Sequence, residues 1–123
     1  MQPAAADHDF REPVVRGLIR AWAVDIVRLR DVGRARDDDW DVLAWVAAQG
    51  RVLLTHDGRT MPATLTARVN AGLAVPRVIL VSQRLPIGRA IEEVGYILAT
   101  ATDADWDGHV LYVPHVLYVP FVR

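Results

Sequence analysis

Arg51-Val52-Leu53-Leu54-Thr55-His56-Asp57 is the stretch around which this chain is organised. A Gly50-Arg51 turn signal gives way to three consecutive apolar residues, which run into a polar triplet. A short apolar run with such boundaries predicts a strand buried on both faces, as in a parallel sheet. Open α/β sheets bind ligands beyond the carboxyl ends of their strands, so Thr55, His56 and Asp57 fall where chemistry is expected. Asp57-Gly58 also reads as a plain tight turn with a solvated carboxylate, and the stretch alone does not separate the two readings.

Outward from that strand, the same rhythm repeats. On the N-terminal side, Pro3 to Ala6 reads as a short first strand ending at Asp7, and Glu12-Pro13 opens a helix, because proline at the first helical position loses nothing. Val14, Val15, Leu18 and Trp22 recur at helical spacing, which leaves Arg16 and Arg20 outward. Val24 to Leu29 has a mixed pattern that suits a strand near the sheet edge. A polar connection, Asp31 to Asp38, leads into a helix that starts in Asp37-Asp38-Asp39-Trp40-Asp41 and runs to Gln49, with Val42, Leu43, Val46 and Trp45 as its buried stripe. On the C-terminal side, Ala63 to Asn70 predicts a helix with Leu65 and Val69 as its apolar pair, and Arg77 to Gln83 a second fully buried strand. After Leu85-Pro86 a last helix carries Ile87, Ile91, Val94 and Leu98 on one stripe, with Glu92 and Glu93 on a solvated face. Strands alternating with helices in this way predict a three-layer α/β/α fold with a mainly parallel central sheet.

Composition bounds the function. The chain has 123 residues and a formal net charge of −1, so one domain is expected and no global positive field gathers nucleic acid. An RNA substrate would need a local basic patch. All 14 basic residues are arginine, which clamps phosphate well, and the absence of lysine excludes mechanisms that need an ammonium group. The absence of cysteine excludes disulfides and thiolate–zinc sites. No apolar stretch approaches the roughly 20 residues of a membrane span, and no signal peptide is evident, so a soluble cytoplasmic protein is the expectation.

The tail breaks the rhythm. His109-Val-Leu-Tyr-Val-Pro114 recurs unchanged as residues 115–120. The sequence therefore divides into a layered domain, residues 1–114, and a duplicated C-terminal segment, residues 115–123. If the first copy is an edge strand, the second is an apolar segment without a place in one domain. Self-association through residues 115–120 is then expected.

Three acidic groups fall at comparable places: Asp7 after the first strand, the Asp37–Asp39 cluster at a helix start, and Asp57 after the central strand. Right-handed crossovers gather strand ends and the following helix starts at one edge of a sheet. Four aspartates in five positions exceed what capping needs, and their mutual repulsion invites a cation. Carboxylates without lysine, cysteine or a histidine cluster suit a hard cation such as Mg²⁺ or Mn²⁺. Arg11, Arg36 and Arg59 are the nearest candidates to hold flanking phosphates.

In their order, Asp7-His8-Asp9-Phe10, Asp31-Val32-Gly33, Asp39 before Val42-Leu43-Ala44-Trp45, and Gly50-Arg51-Val52-Leu53-Leu54-Thr55-His56-Asp57 resemble the compact PIN-like domains, bacterial relatives of the PIN-domain ribonuclease toxins. The likeness runs from Asp7 to about Val113. It implies a parallel sheet flanked by helices and clustered acids that bind Mg²⁺ or Mn²⁺ to cleave RNA. By position Asp7 matches the family's first acid, Asp39 its second and Asp57 its third. The implied catalytic and metal-binding set is Asp7, Asp39 and Asp57; by position along the chain, Thr55 at the strand end joins Arg11, Arg36 and Arg59 toward the substrate. An antitoxin protein is the implied partner. A fourth acid is not evident; Thr60 stands in that neighbourhood, and Glu92 is the nearest helix carboxylate to consider.

Two rivals fail on one residue type. Asp7-His8-Asp9 has the Asp-x-Asp form of a haloacid-dehalogenase-like phosphatase, but that mechanism and a receiver domain both need a lysine. A third alternative stands beside the nuclease: a non-catalytic PIN-like protein that binds a protein partner or RNA.

Overall fold

Five short apolar runs form one sheet in the computed structural model, which describes residues 1–106 and 108–114. The strands are β1 (Ala4–Ala6), β2 (Ile26–Arg28), β3 (Val52–Thr55), β4 (Val78–Val81) and β5 (Val110–Val113). Their order is β2-β1-β3-β4-β5, and every neighbouring pair is parallel. The helices are α1 (Glu12–Trp22), α2 (Asp39–Ala48), α3 (Met61–Asn70) and α4 (Ile87–Thr100). Alternate strand residues divide the core in two. Ala4, Ala6, Val52, Leu54, Ile79 and Val81 pack with α1 and α4, while Ala5, Leu53 and Val78 pack with α2 and α3. The fold is thus a three-layer α/β/α sandwich around a parallel sheet.

β3 is the middle strand, and all four of its residues are buried. β2 is an edge strand whose residues are only half-buried, as its mixed pattern predicts. It is shorter than the sequence suggests, because Leu29 to Val32 turn into a 3₁₀ segment that stops at Gly33, in the left-handed region at φ 76°. β1 is more central than three alanines suggest. Their backbones pair on both sides, and their small side chains are at most 2% exposed. Alanine's poor strand propensity is overridden where the layers must approach closely.

Two helices differ from the periodic reading. α3 starts at Met61, with Pro62 in its first turn, and buries Met61, Leu65 and Arg68, whereas Val69 is 43% exposed. In α4 the buried residues are Ala90, Val94, Gly95, Ile97 and Leu98, while Ile87 at its first turn is exposed. Glu93 is not on a solvated face: its side chain is only 11% exposed and pairs with Arg89. No helix among the described residues is long and apolar enough to cross a membrane. The second copy of the hexapeptide, residues 115–120, lies outside the described residues, whereas the first copy supplies the edge strand β5.

Candidate functional site

The chain runs from β1 to β2 on one side and returns to β3 on the other, so the β1/β3 junction is the switch point of the sheet. Asp7 follows β1 directly. Its backbone N–H donates to the Leu54 carbonyl at 3.0 Å, which extends the ladder beyond Ala6. The carboxylate is buried, at 8% exposure, and fixed on both oxygens. Oδ2 accepts the Thr55 hydroxyl at 2.9 Å; Oδ1 accepts the His8 N–H at 2.9 Å and lies 3.1 Å from His8 Nδ1.

Asp57 follows β3 and organises the start of α3. Its Oδ1 accepts the backbone N–H groups of Arg59 and Thr60, each at 2.9 Å. Its Oδ2 accepts the Thr60 hydroxyl, which also lies 2.7 Å from Asp39 Oδ2. One hydroxyl therefore spans two carboxylates. Burial pushes the Asp57 carboxyl up, but the Thr60 hydroxyl and the N–H groups of Thr60, Arg59 and Met61 outweigh it and hold the group below the ordinary carboxylate value. Asp39 lies in the first turn of α2, and Asp38 is the cap, accepting the Asp41 N–H at 3.0 Å.

Asp7, Asp9, Asp39 and Asp57 line one cavity of about 130 Å³ together with His8, Thr55, His56 and Gln83. Four aspartates from three separate segments thus face one space beyond the strand ends. They do not form a closed cage: among the described residues no group of three histidine, aspartate or glutamate side chains is placed to hold one ion. The donors are hard oxygens, which suit Mg²⁺ or Mn²⁺. Mg²⁺ is ordinarily held by one or two carboxylates, with water and phosphate completing its shell. The Asp39–Asp57 pair fits that open mode and does not fit a dedicated all-protein site.

His56 has a structural task. Its Nδ1 lies 2.7 Å from the Val81 carbonyl oxygen and so carries the proton, while Nε2 accepts the Arg11 N–H at 3.2 Å. The ring stacks on Phe10 with centroids 4.4 Å apart. Burial is the main cause that holds its pKa below the usual histidine value, so the neutral form is favoured. Both nitrogens are spent on tying the segment after β1 to the ends of β3 and β4.

The residues expected to face substrate separate into two groups. Thr55 is fully buried at the cavity wall, and its hydroxyl donates to Asp7 and accepts the Asp57 N–H at 3.1 Å, so in this structure it positions the two carboxylates. The Arg11 guanidinium donates to the Leu85 carbonyl at 2.8 Å, a tie within the fold. Arg36 and Arg59 are exposed, Arg59 in the same loop as Asp57. Glu92 lies on the exposed side of α4 and does not line the cavity. The sequence reading missed Gln83 and His8 as cavity residues. Nothing local marks Gln83, which is brought in by the turn after β4; His8 was legible only as a spacer between two aspartates.

No family model, no curated protein and no solved structure matches the chain.

Proposed function

We propose that this chain is a PIN-like, metal-dependent ribonuclease that hydrolyses RNA phosphodiesters. The observation that carries the reading is the convergence of Asp7, Asp39 and Asp57 on one cavity beyond the switch point of a parallel sheet. Asp39 and Asp57 hold Mg²⁺ or Mn²⁺, with Asp7 facing the same space. When bound, the ion supplies an activated water and neutralises charge on the phosphodiester. Thr55 fixes the Asp7 carboxylate by its buried hydroxyl, and the Thr60 hydroxyl lies within reach of both Asp57 and Asp39, its one proton serving either carboxylate. Asp57, like any carboxylate, is ionised at neutral pH, and the Thr60 hydroxyl with the N–H groups of Thr60, Arg59 and Met61 favours that form further. Arg59, and Arg84 beside Gln83, are exposed in the loops that leave β3 and β4, where flanking phosphates would pass.

One observation favours a second reading, a non-catalytic PIN-like binding protein: among the described residues no three histidine, aspartate or glutamate side chains are placed to hold an ion by themselves. The two readings part in one experiment. Thermal unfolding is followed in millimolar Mn²⁺ and after chelation, alongside cleavage of a single-stranded RNA. An ion that binds only the folded chain raises the melting temperature by mass action, by about 2.7 kcal/mol of stability at a hundred times its dissociation constant. The nuclease reading expects that rise, its loss in Asp57→Asn, and no cleavage by Asp7→Asn or Asp57→Asn with the fold retained. No rise and equal cleavage by all three proteins would leave the binding protein. If the nuclease is a toxin, a small protein encoded in the adjoining reading frame will co-purify with it and block cleavage.

A further inference from the structure

A groove of about 620 Å³ runs between α2 and α3 and adjoins the carboxylate cavity: Asp39 lines both, and Thr60, which spans Asp39 and Asp57, lines the groove. Trp40 stands on one side, 39% exposed, and Ala63, Thr64 and Ala67 of α3 line the other. The tryptophan is held in place from below. The Arg68 guanidinium lies 5.0 Å from its ring centroid, and Arg68 is itself buried, donating twice to the Ala74 carbonyl at 3.1 and 2.9 Å. A buried, doubly bonded arginine under an indole makes a fixed aromatic platform.

We propose that this groove seats an unpaired nucleobase of single-stranded RNA, stacked on Trp40, with the adjoining phosphodiester presented to the Asp7–Asp39–Asp57 cavity. The proposal rests on the ribonuclease reading above and names the part of the substrate that the site grips. Charge selects the base. Asp38 and Asp39 on the groove wall repel a phosphate, so of the parts of an RNA strand the neutral base enters and the backbone stays outside. Shape selects it too. Small side chains opposite one aromatic leave a slot for a flat ring, whereas a partner helix needs a succession of apolar anchor pockets. A base that is paired in a duplex cannot reach such a slot, which restricts the substrate to unpaired positions.

The test measures binding and cleavage separately. Fluorescence anisotropy follows a labelled single-stranded oligoribonucleotide, with Ca²⁺ replacing Mn²⁺ to prevent turnover, and the same oligonucleotide carrying one abasic position next to the cleaved bond. Trp40→Ala should weaken binding of the intact strand about ten-fold, within the range for loss of one base–aromatic stack. The abasic strand should bind the wild-type chain more weakly by a similar factor, and Trp40→Ala should add little to that loss. Trp40→Phe should keep most of the affinity, and Ala67→Leu, which fills the groove and leaves the indole in place, should lose it. Equal binding of the intact strand by wild type and Trp40→Ala overturns the proposal, as does an equal loss on both strands, which marks a purely structural tryptophan. If the intact strand binds with this pattern but is not cleaved in Mn²⁺, the base site stands and the nuclease reading falls. If wild type binds neither strand, both fall, and the groove is left to a protein partner.

Discussion

Ala23 carries a cost that its neighbours do not. It ends α1 in the left-handed region at φ 55°, where its N–H donates to the Ile19 carbonyl, a conformation that glycine adopts freely and alanine does not. Ala23→Gly is therefore expected to stabilise the protein by about 1 kcal/mol, read as a higher midpoint in urea unfolding at unchanged slope. A lower midpoint would show that the extra freedom of glycine in the unfolded chain outweighs the relief. At this scale the sequence was partly legible. Asp57-Gly58 allowed both a turn and a chemical site, and the two are not exclusive. One oxygen of Asp57 serves the turn, while the other faces Asp39 through Thr60. Thr55 was assigned toward substrate because it ends a strand. Its total burial depends on β1 and β4 pairing on either side of β3, which no neighbouring residue reveals.

Packing between elements decides more than propensity within them. α1 and α4 cross on glycine: a Cβ at Gly95 would lie 2.2 Å from the Trp22 indole nitrogen, and one at Gly17 would lie 2.1 Å from the tip of Ile91. Gly95→Ala is expected to destabilise by about 1–3 kcal/mol, since the rigid indole must leave its place to admit the methyl. Gly17→Ala should cost less, because the obstacle is the end of a flexible side chain. Calorimetric melting of the two variants checks the ranking, and a Gly95→Ala protein with an unchanged melting temperature contradicts this packing. Helical periodicity located α1 and α4 but could not mark these glycines as contact points. It also placed Val69 and Ile87 inside, because spacing fixes the direction of a stripe and not how far the neighbouring layer extends over it.

For the molecule as a whole, one ion-pair cluster links the start of α1 to β2 across the chain. The Arg28 guanidinium donates to both oxygens of Glu12, at 2.8 and 2.5 Å, and Arg30 adds a bond at 3.0 Å. The hydrogen bond from Arg28 is the largest cause that holds the Glu12 carboxyl below its ordinary value. A carboxyl whose pKa is lower folded than unfolded binds fewer protons in the folded state over the interval between the two values. Its contribution is complete above the ordinary glutamate value of about 4.3 and is lost as pH falls through the lower, folded value. Melting temperatures of wild type and Glu12→Gln should therefore differ most at neutral pH and converge on acidification below about pH 4.3. Parallel curves down to low pH would show that the pair does not contribute. Both side chains remain about one-quarter exposed, so solvent screening keeps the effect modest.

Local sequence determined the alternation of buried runs and amphipathic stripes, hence the α/β class, the buried middle strand, the edge position of β2 and the aspartates at the ends of β1 and β3. These are legible because each depends on residues within a turn or a strand of one another. The tertiary structure alone decided the order β2-β1-β3-β4-β5, the shared cavity of Asp7, Asp39 and Asp57, the burial of Thr55 and the seating of Trp40 on Arg68. Those features join residues dozens of positions apart. Their distances are set by crossovers, strand register and the packing of whole layers, quantities that periodicity along the chain does not contain.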